Sequence, residues 1–172
     1  MWRTIIAVGI VMVVASQAAE ENPFKKAKEG DWTEYSITRK VSGATVAWAQ
    51  KRIVTKVTAT EVTVEVVTIV SGQKDTKDSY TIKLNEPYDY FKTYSESAKS
   101  KATATGEDKL VVKGSSLNTK WTEYELDNGG KVRKHKMWIS TELPLDGVVK
   151  SETTLTAADT LVTELKDYGV GK

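Results

Sequence analysis

The stretch Glu61-Val62-Thr63-Val64-Glu65-Val66-Val67-Thr68-Ile69-Val70 alternates apolar and polar side chains. Every second residue from Val62 to Val66 is valine, and polar residues lie between them. A period of two is typical of a β-strand that buries one face, because successive side chains of a strand point to opposite sides. The stretch therefore predicts a strand with its valines buried and its glutamates exposed.

Similar strand patterns recur along the chain. Of its 172 residues, 22 are threonine and 20 are valine, and both types favour extended backbone. The pattern predicts further strands within residues 45–58, 80–84, 110–112, 121–126, 132–140, 148–157 and 161–166. The short spacing between them predicts an antiparallel arrangement.

Two turn signals connect predicted strands. One is Pro144-Leu145-Asp146-Gly147, and the other is Asp127-Asn128-Gly129-Gly130. Asn-Gly favours a two-residue hairpin loop of type I′. With Asn128-Gly129 as that loop, Glu123 would lie opposite Lys134 and Trp121 opposite Lys136.

These patterns predict an all-β fold, with eight to ten antiparallel strands in a meander that forms an open or partly closed barrel. One short helical or loop segment near residues 86–105 interrupts the strands. Its aromatic residues would either plug the core or form a mobile lid over an apolar cavity. A second short helix or turn is predicted at residues 22–28, where Pro23 follows Asn22 as a possible cap.

The N-terminus has the pattern of a secretory signal peptide. Arg3 precedes an apolar run over residues 4–15, and Ser16-Gln17-Ala18 supplies small residues for cleavage. The alternative, an uncleaved membrane anchor, is disfavoured because a spanning helix needs roughly 20 apolar residues. We therefore expect a signal peptide at 1–18, a single antiparallel β domain at 19–172, no transmembrane anchor after cleavage, and a periplasmic or secreted location.

Composition excludes several kinds of chemistry. The chain has no cysteine and one histidine, which excludes disulfides, thiolate sites and any site with two imidazoles. The net charge of +2 gives no argument for nucleic-acid binding. No phosphate-binding, nucleophile-elbow or metal-protease motif is present. We expect no enzyme activity, catalytic residue, cofactor or metal.

The basic run 131–136 contains the single histidine, His135. The neighbouring cations are expected to disfavour protonation of His135 and repel a metal ion. Two interpretations of the lysines in this run are open. Its lysines would protect an edge strand from aggregation, or they would contact anionic lipid head groups or an acidic partner.

Four segments carry a resemblance to secreted bacterial proteins of unassigned function. They are Asn22-Pro23-Phe24, GDWTEY at 30–35, KMWISTELPLDGVVKSE at 136–152, and YGVGK at 168–172. Their order is similar to that in the half-barrel carriers that localise bacterial lipoproteins. The resemblance implies an unclosed β-barrel with a concave apolar face and acyl chains as cargo.

Two functions follow from these expectations. The first is an exported, non-enzymatic protein that binds a lipid or other apolar small molecule in a half-barrel cavity. The second is a structural or protein-interaction β-domain of the cell envelope with a packed core and no ligand. The aromatic residues expected to line a cavity or its mouth are Trp48, Tyr88, Tyr90, Phe91, Trp121 and Trp138.

Overall fold

A computed structural model describes residues 21–91, 99–128, 130–156 and 158–171 of the chain. The predicted signal peptide and Gly129 lie outside these residues. The described part contains one short 3-10 helix and nine strands. In chain order they are the helix Pro23–Lys26 and β1 (Trp32–Val41), β2 (Ala44–Val57), β3 (Glu61–Ile69), β4 (Thr76–Lys83), β5 (Lys99–Val112), β6 (Ser115–Asn128), β7 (Lys131–Ile139), β8 (Val148–Thr156) and β9 (Asp159–Gly169).

The strands form one antiparallel sheet in the order β4-β3-β2-β1-β9-β8-β7-β6-β5. It consists of two meanders, β1 to β4 and β5 to β9, joined where β1 pairs with β9. The outer strands β4 and β5 do not pair with each other in the described residues, so the sheet is not closed. The predicted all-β fold, strand number and open sheet are confirmed.

The chain passes from one edge of the sheet to the other between β4 and β5. We call residues 84–91, which begin this passage, the crossover segment. They form turns and loop, as predicted for the region near 86–105. Residues 92–98 lie outside the described part, and from Lys99 onward the chain is strand β5. The predicted interruption therefore extends too far, because the small polar residues 99–105 pair with β6 instead of forming a loop.

One face of the sheet lies beneath the crossover segment, and we call it the crossover face. In β1, the buried residues Thr33, Tyr35 and Ile37 point to it, alternating with half-buried residues. Cross-strand partners share a face, so Thr163 of β9, which pairs with Ile37, also points to the crossover face. The side that carries Trp138 is the opposite face.

Two apolar clusters support the sheet. The first is built on β1 and β5 to β9 and includes Tyr35 and Phe91. The second lies between β2, β3, β4 and the short helix, and contains Val62, Val64 and the fully buried Phe24. The valines of the stretch that predicts the fold are therefore core residues.

The short helix at residues 22–28 is confirmed in its central part. The Asn22 side chain accepts a 3.1 Å hydrogen bond from the backbone N of Phe24, as expected for an N-cap. The Asn22 amide also donates to the carbonyls of Lys83 and Glu86, at 3.0 Å each. This side chain thus fixes the helix to the start of the crossover segment.

The predicted register of the β6–β7 hairpin is wrong by two residues. Asn128 pairs with Lys131 as the last pair of the two strands, whereas the prediction placed Asn128 in the loop. Glu123 consequently lies opposite Lys136. A shift of two keeps every side chain on its predicted face, which explains why alternation alone could not detect it.

The edge-strand explanation of the basic run is also wrong. β7 lies between β6 and β8, so both sides of this strand are paired. No helix in the described ranges is both long and apolar enough to cross a bilayer.

Candidate functional site

The six aromatic residues predicted to contact a ligand lie on both sides of the sheet. Trp48 pairs with Ile37 on the crossover face, and the crossover segment supplies three more residues. Trp121 and Trp138 pair with each other on the opposite face. The structure therefore brings four of the six to one face and separates two. Whether any of them contacts a ligand stays a prediction.

The aromatic residues of the crossover segment connect the two core clusters. The Tyr88 ring lies 5.0 Å from the Phe24 ring and 4.8 Å from the Tyr90 ring, measured between centroids. Phe91 continues the series, with its ring 4.7 Å from Tyr124 and 5.3 Å from His135. Tilted and edge-to-face contacts of this kind are favourable packing arrangements. The segment thus packs against the sheet through its own side chains.

A polar cluster lies on the crossover face between the two core clusters. Nη1 of Arg52 donates a 2.9 Å hydrogen bond to Oδ2 of Asp146, and Nε of Arg52 donates to Gln50 at 3.1 Å. The Asp146 side chain is 4% exposed and that of Arg52 is 24% exposed. The Tyr90 hydroxyl donates to the Asp146 carbonyl at 3.1 Å. This cluster holds together β2, the loop before β8 and the crossover segment.

Tyrosines surround the Arg52–Asp146 pair. The guanidinium carbon of Arg52 lies 4.9 Å from the centroid of the Tyr35 ring, in cation–π geometry. The Tyr35 hydroxyl donates to the Val148 carbonyl at 3.0 Å. Sequence reasoning did not find this cluster, because Arg52 and Asp146 are distant in the chain. The one available signal was Asp146 itself, a carboxylate inside an otherwise apolar turn.

The electrostatics of the cluster oppose acid–base chemistry. Burial raises the pKa of Tyr35 and Tyr88 far above the usual value of a phenol, with a further increase from the Asp146 carboxylate. Burial raises the pKa of Tyr80 to about 12. For Arg52, burial is the largest influence and lowers the pKa, but Asp146 and the surrounding tyrosines together outweigh it, so the net pKa is raised. The phenols stay protonated and the guanidinium stays charged at neutral pH.

The single histidine lies inside the protein. His135 is 2% exposed, and its Nδ1 lies 2.8 Å from the Thr153 hydroxyl oxygen. Burial lowers the pKa of His135 to about 4, so the ring is neutral at physiological pH. The cause differs from the expected one. The side chains of Lys134 and Lys136 point to the opposite face, and removal from water disfavours the charged imidazole.

Lysines and tryptophans alternate on the opposite face. Nζ of Lys136 lies 3.7 Å from the Trp121 ring centroid and 5.1 Å from the Trp138 centroid, and it also pairs with Glu123 at 3.0 Å. Nζ of Lys150 lies 5.3 Å from the Trp138 ring centroid. Trp138 is 8% exposed, so this ladder covers it almost completely. The arrangement is a packed surface with its charges paired.

The tip of the β5–β6 hairpin folds back toward the ladder. β5 contacts β9, and Lys113 at the hairpin turn forms an ion pair with Asp167 of β9. Asp167 pairs with Glu34, which points away from the crossover face. The hairpin tip therefore reaches the opposite face of the sheet.

Two grooves on the surface are lined mostly by polar and charged residues. One has a volume of about 530 Å³ and runs along the distal part of the β5–β6 hairpin; the other has about 410 Å³ and overlies the strands β6, β7 and β8. The first is lined by Glu107, Asp108, Lys109, Asn118, Thr119, Lys120, Ile139 and Thr141. The second is lined by Thr103, Glu123, Tyr124, Glu125, Lys134, His135, Lys136, Glu152 and Thr154. Neither is lined mainly by hydrophobic and aromatic residues, as a lipid cavity is.

The carboxylate and imidazole side chains of the described residues do not indicate a metal site. Within the described ranges, no three or more His, Asp and Glu side chains are grouped as ligands for a metal ion. The Arg52–Asp146 cluster places a cation beside its carboxylate, which disfavours a second cation there.

No protein-family model matches the chain, and no functionally curated protein matches it. Among solved structures, it is similar to a "putative exported protein with YmcC-like fold" from Bacteroides fragilis. The TM-score is 0.55 at 8% identity, over 83% of this chain and 97% of that one. A DUF1329 family protein from Desulfovibrio piger aligns over 84% of this chain and 87% of its own at 8% identity, but its TM-score of 0.32 does not indicate a common fold. The chain therefore shares its fold with the Bacteroides protein, at an identity that carries no function across.

Proposed function

We propose that the chain is an exported, non-enzymatic β-domain of the bacterial envelope that acts by binding a partner through its surface. One observation carries this proposal. Where a half-barrel carrier would hold its cargo, the crossover face is filled by Tyr88, Tyr90 and Phe91 together with the Arg52–Asp146 cluster. A face packed by the chain's own side chains stabilises the fold and leaves binding to other surfaces.

Two observations support export. The sequence of residues 1–18 has the tripartite pattern of a signal peptide, with a charged start, an apolar run and small residues before the cleavage point. The Bacteroides protein of similar fold is itself described as putatively exported. A periplasmic or secreted location follows for this chain as part of the proposal.

The absence of enzyme activity is part of the same proposal. Catalytic acids and bases need pKa values near the working pH. The buried phenols of Tyr35, Tyr80 and Tyr88 have raised pKa values, and the imidazole of His135 has a lowered one. These shifts place the pKa of each group far from the neutral pH at which a catalytic acid or base would work. They favour a structural role for the polar residues of the core.

The second candidate is a carrier that holds a lipid or another apolar molecule beneath the crossover segment. It is favoured by the way this segment is attached. Its contacts are mainly side-chain packing and single hydrogen bonds, such as the one from Tyr90 to Asp146. Displacement of the segment would expose apolar side chains of the first core cluster, including Trp48. The resemblance to half-barrel carriers is compatible with this alternative.

Ligand analysis of the protein recovered from its own cells distinguishes the two candidates. We expect no stoichiometric lipid by mass spectrometry of an organic extract, and no saturable binding of a fluorescent fatty acid. A carrier would show both. Its binding would also change in the variant Phe91→Ala, because Phe91 packs on the crossover face, and would be unaffected in Trp121→Ala on the opposite face. That pattern would replace the first proposal by the second.

A further inference from the structure

Three hairpin turns of the sheet meet at one end, which we call the tip end. The backbone N of Ser42 in the β1–β2 turn donates a 3.0 Å hydrogen bond to the carbonyl of Ala158 in the β8–β9 turn. The β6–β7 turn follows Asn128 at the same end. β3 pairs with β2 only from Ala49 onward, so the first residues of β2 project past that neighbour.

Exposed apolar side chains mark the tip end. Val41, Val46 and Val132 are 38%, 56% and 60% exposed. Val41 and Val46 are on the crossover face, whereas Val132 is on the opposite face, since it alternates with Arg133 in β7. The three valines therefore project on both sides of the sheet, around its end.

Basic residues accompany these valines. Arg39, Lys40, Lys101, Arg133 and Lys134 lie in the strands at the tip end, and Lys99 and Lys131 are the first residues of β5 and β7 there. The acidic residues of the same strand ends are Glu125, Asp127 and Asp159. Seven basic positions against three acidic ones give an excess of four positive charges, whereas the whole chain has +2. The rest of the chain therefore carries −2, and the positive charge is concentrated at this end.

Two of the three acidic residues there are already engaged, and the third, Glu125, lies between Lys101 and Lys134 in the pairing of β5, β6 and β7. Asp159 accepts two hydrogen bonds from Arg39, at 3.1 and 2.9 Å, and Asp127 accepts one from the backbone N of Gly130 at 2.8 Å. Lys40, Lys101 and Lys134 are exposed, and no ion pair is found for them in the described residues. These three amino groups can contact an anionic partner.

We propose that the tip end docks onto an anionic lipid bilayer. Basic side chains are attracted to an anionic membrane surface, and apolar side chains beside them can enter the head-group region. The distribution of the valines decides between partners. A protein partner that buried these valines in the core of one interface would need them on one side of the sheet, but they point to both faces. A bilayer contacted by the end of the sheet reaches both faces at once. The docking does not require a ligand on the crossover face, because Lys40, Lys101, Lys134 and Val132 point to the opposite face.

Vesicle sedimentation tests this docking. The full chain should sediment with vesicles of phosphatidylcholine and phosphatidylglycerol, much less with pure phosphatidylcholine, and hardly at all in about 0.5 M salt. The double variants Lys40→Glu/Lys101→Glu and Val46→Asp/Val132→Asp should each bind at least about tenfold more weakly. All variants keep the same N-terminus, so the apolar run of residues 4–15 contributes equally to each.

The matched control lies at the other end of β5. Val111 is 71% exposed and Lys109 is exposed, so Lys109→Glu/Val111→Asp makes the same kinds of change away from the tip end. It should bind like the unaltered protein, and circular dichroism should show equal folding of all variants. Equal losses in tip and control variants, or equal binding to both vesicle types, would overturn the proposal. So would retention on polyglutamate without vesicle binding, which would identify an acidic protein as the partner.

Discussion

Arg52 and Asp146 are 94 positions apart in sequence, yet their side chains form a 2.9 Å ion pair beneath the crossover segment. The pair joins β2 of the first meander to the loop that precedes β8 of the second. Asp146 also holds the loop in place, because its Oδ1 accepts a 3.3 Å hydrogen bond from the backbone N of Val148. The interaction therefore fixes the two halves of the sheet to each other on the crossover face.

Removal of the carboxylate should destabilise the fold strongly. Asp146→Ala leaves the largely buried guanidinium of Arg52 without its partner, and we expect the free energy of unfolding to fall by about 3 kcal/mol in urea denaturation. The control is Asp159→Ala, which breaks the exposed pair with Arg39 and should have a much smaller effect. Similar losses in the two variants would show that burial of the Arg52 pair is energetically unimportant.

Stability should decrease in acid because of His135. Its folded-state pKa is about 4, below the ordinary 6.5, so the unfolded chain binds a proton between these values and the folded protein does not. Stability is fully present above pH 6.5 and is lost as the pH falls toward 4, by about 3 kcal/mol in total. Urea midpoints at neutral pH and at about pH 5 measure this decrease.

The control for this titration is His135→Gln, whose side chain does not titrate. Since the chain has one histidine, the difference between the two pH profiles isolates this imidazole from the carboxylates. We expect a flatter profile for the variant between pH 6.5 and 5. Parallel profiles would mean that the imidazole is accessible to protons in the folded protein.

The strands were predictable because their signal is local. In β3, the alternation of Val62, Thr63 and Val64 directly reflects one buried and one wetter side, and the structure buries both valines. The short helix after Asn22 was predictable for the same reason, since a cap and a proline within two residues determine it.

Strand order and the polar cluster were not predictable from local pattern. Alternation shows which side chains share a face but does not identify the neighbouring strand, so the pairing of β1 with β9 has no signature in the sequence. Alternation within each strand also could not show that Trp138 and Tyr35 lie on different faces of the sheet, because other parts of the chain cover both side chains. The Arg52–Asp146 pair depends on that same long-range pairing.

Truncation of Trp138 should test how well the opposite face is packed. Its side chain is 8% exposed beside Trp121 and the Lys136 and Lys150 stems. We expect Trp138→Ala to lower the free energy of unfolding by about 3–5 kcal/mol, as for other buried tryptophans. Trp121→Ala, which removes the half-buried member of the pair, should cost less. A denaturation midpoint for Trp138→Ala equal to that of the unaltered protein would mean that the ladder does not bury it in solution.

Gly106 provides a second measure of the same ladder. It pairs with Trp121 across β5 and β6, and a methyl group on Gly106 would lie 2.5 Å from Cζ2 of the indole. The ring cannot move away freely, because Nζ of Lys136 lies 3.7 Å from its centroid. We expect Gly106→Ala to destabilise the protein by about 1–3 kcal/mol through this steric overlap.

In a Trp121→Ala background the overlap disappears, so the same substitution should cost almost nothing, and a double-mutant cycle from urea denaturation should show coupling between the two positions. Equal costs in the two backgrounds would mean that the indole does not lie over Gly106, and that β5 and β6 pack differently at this point of the sheet.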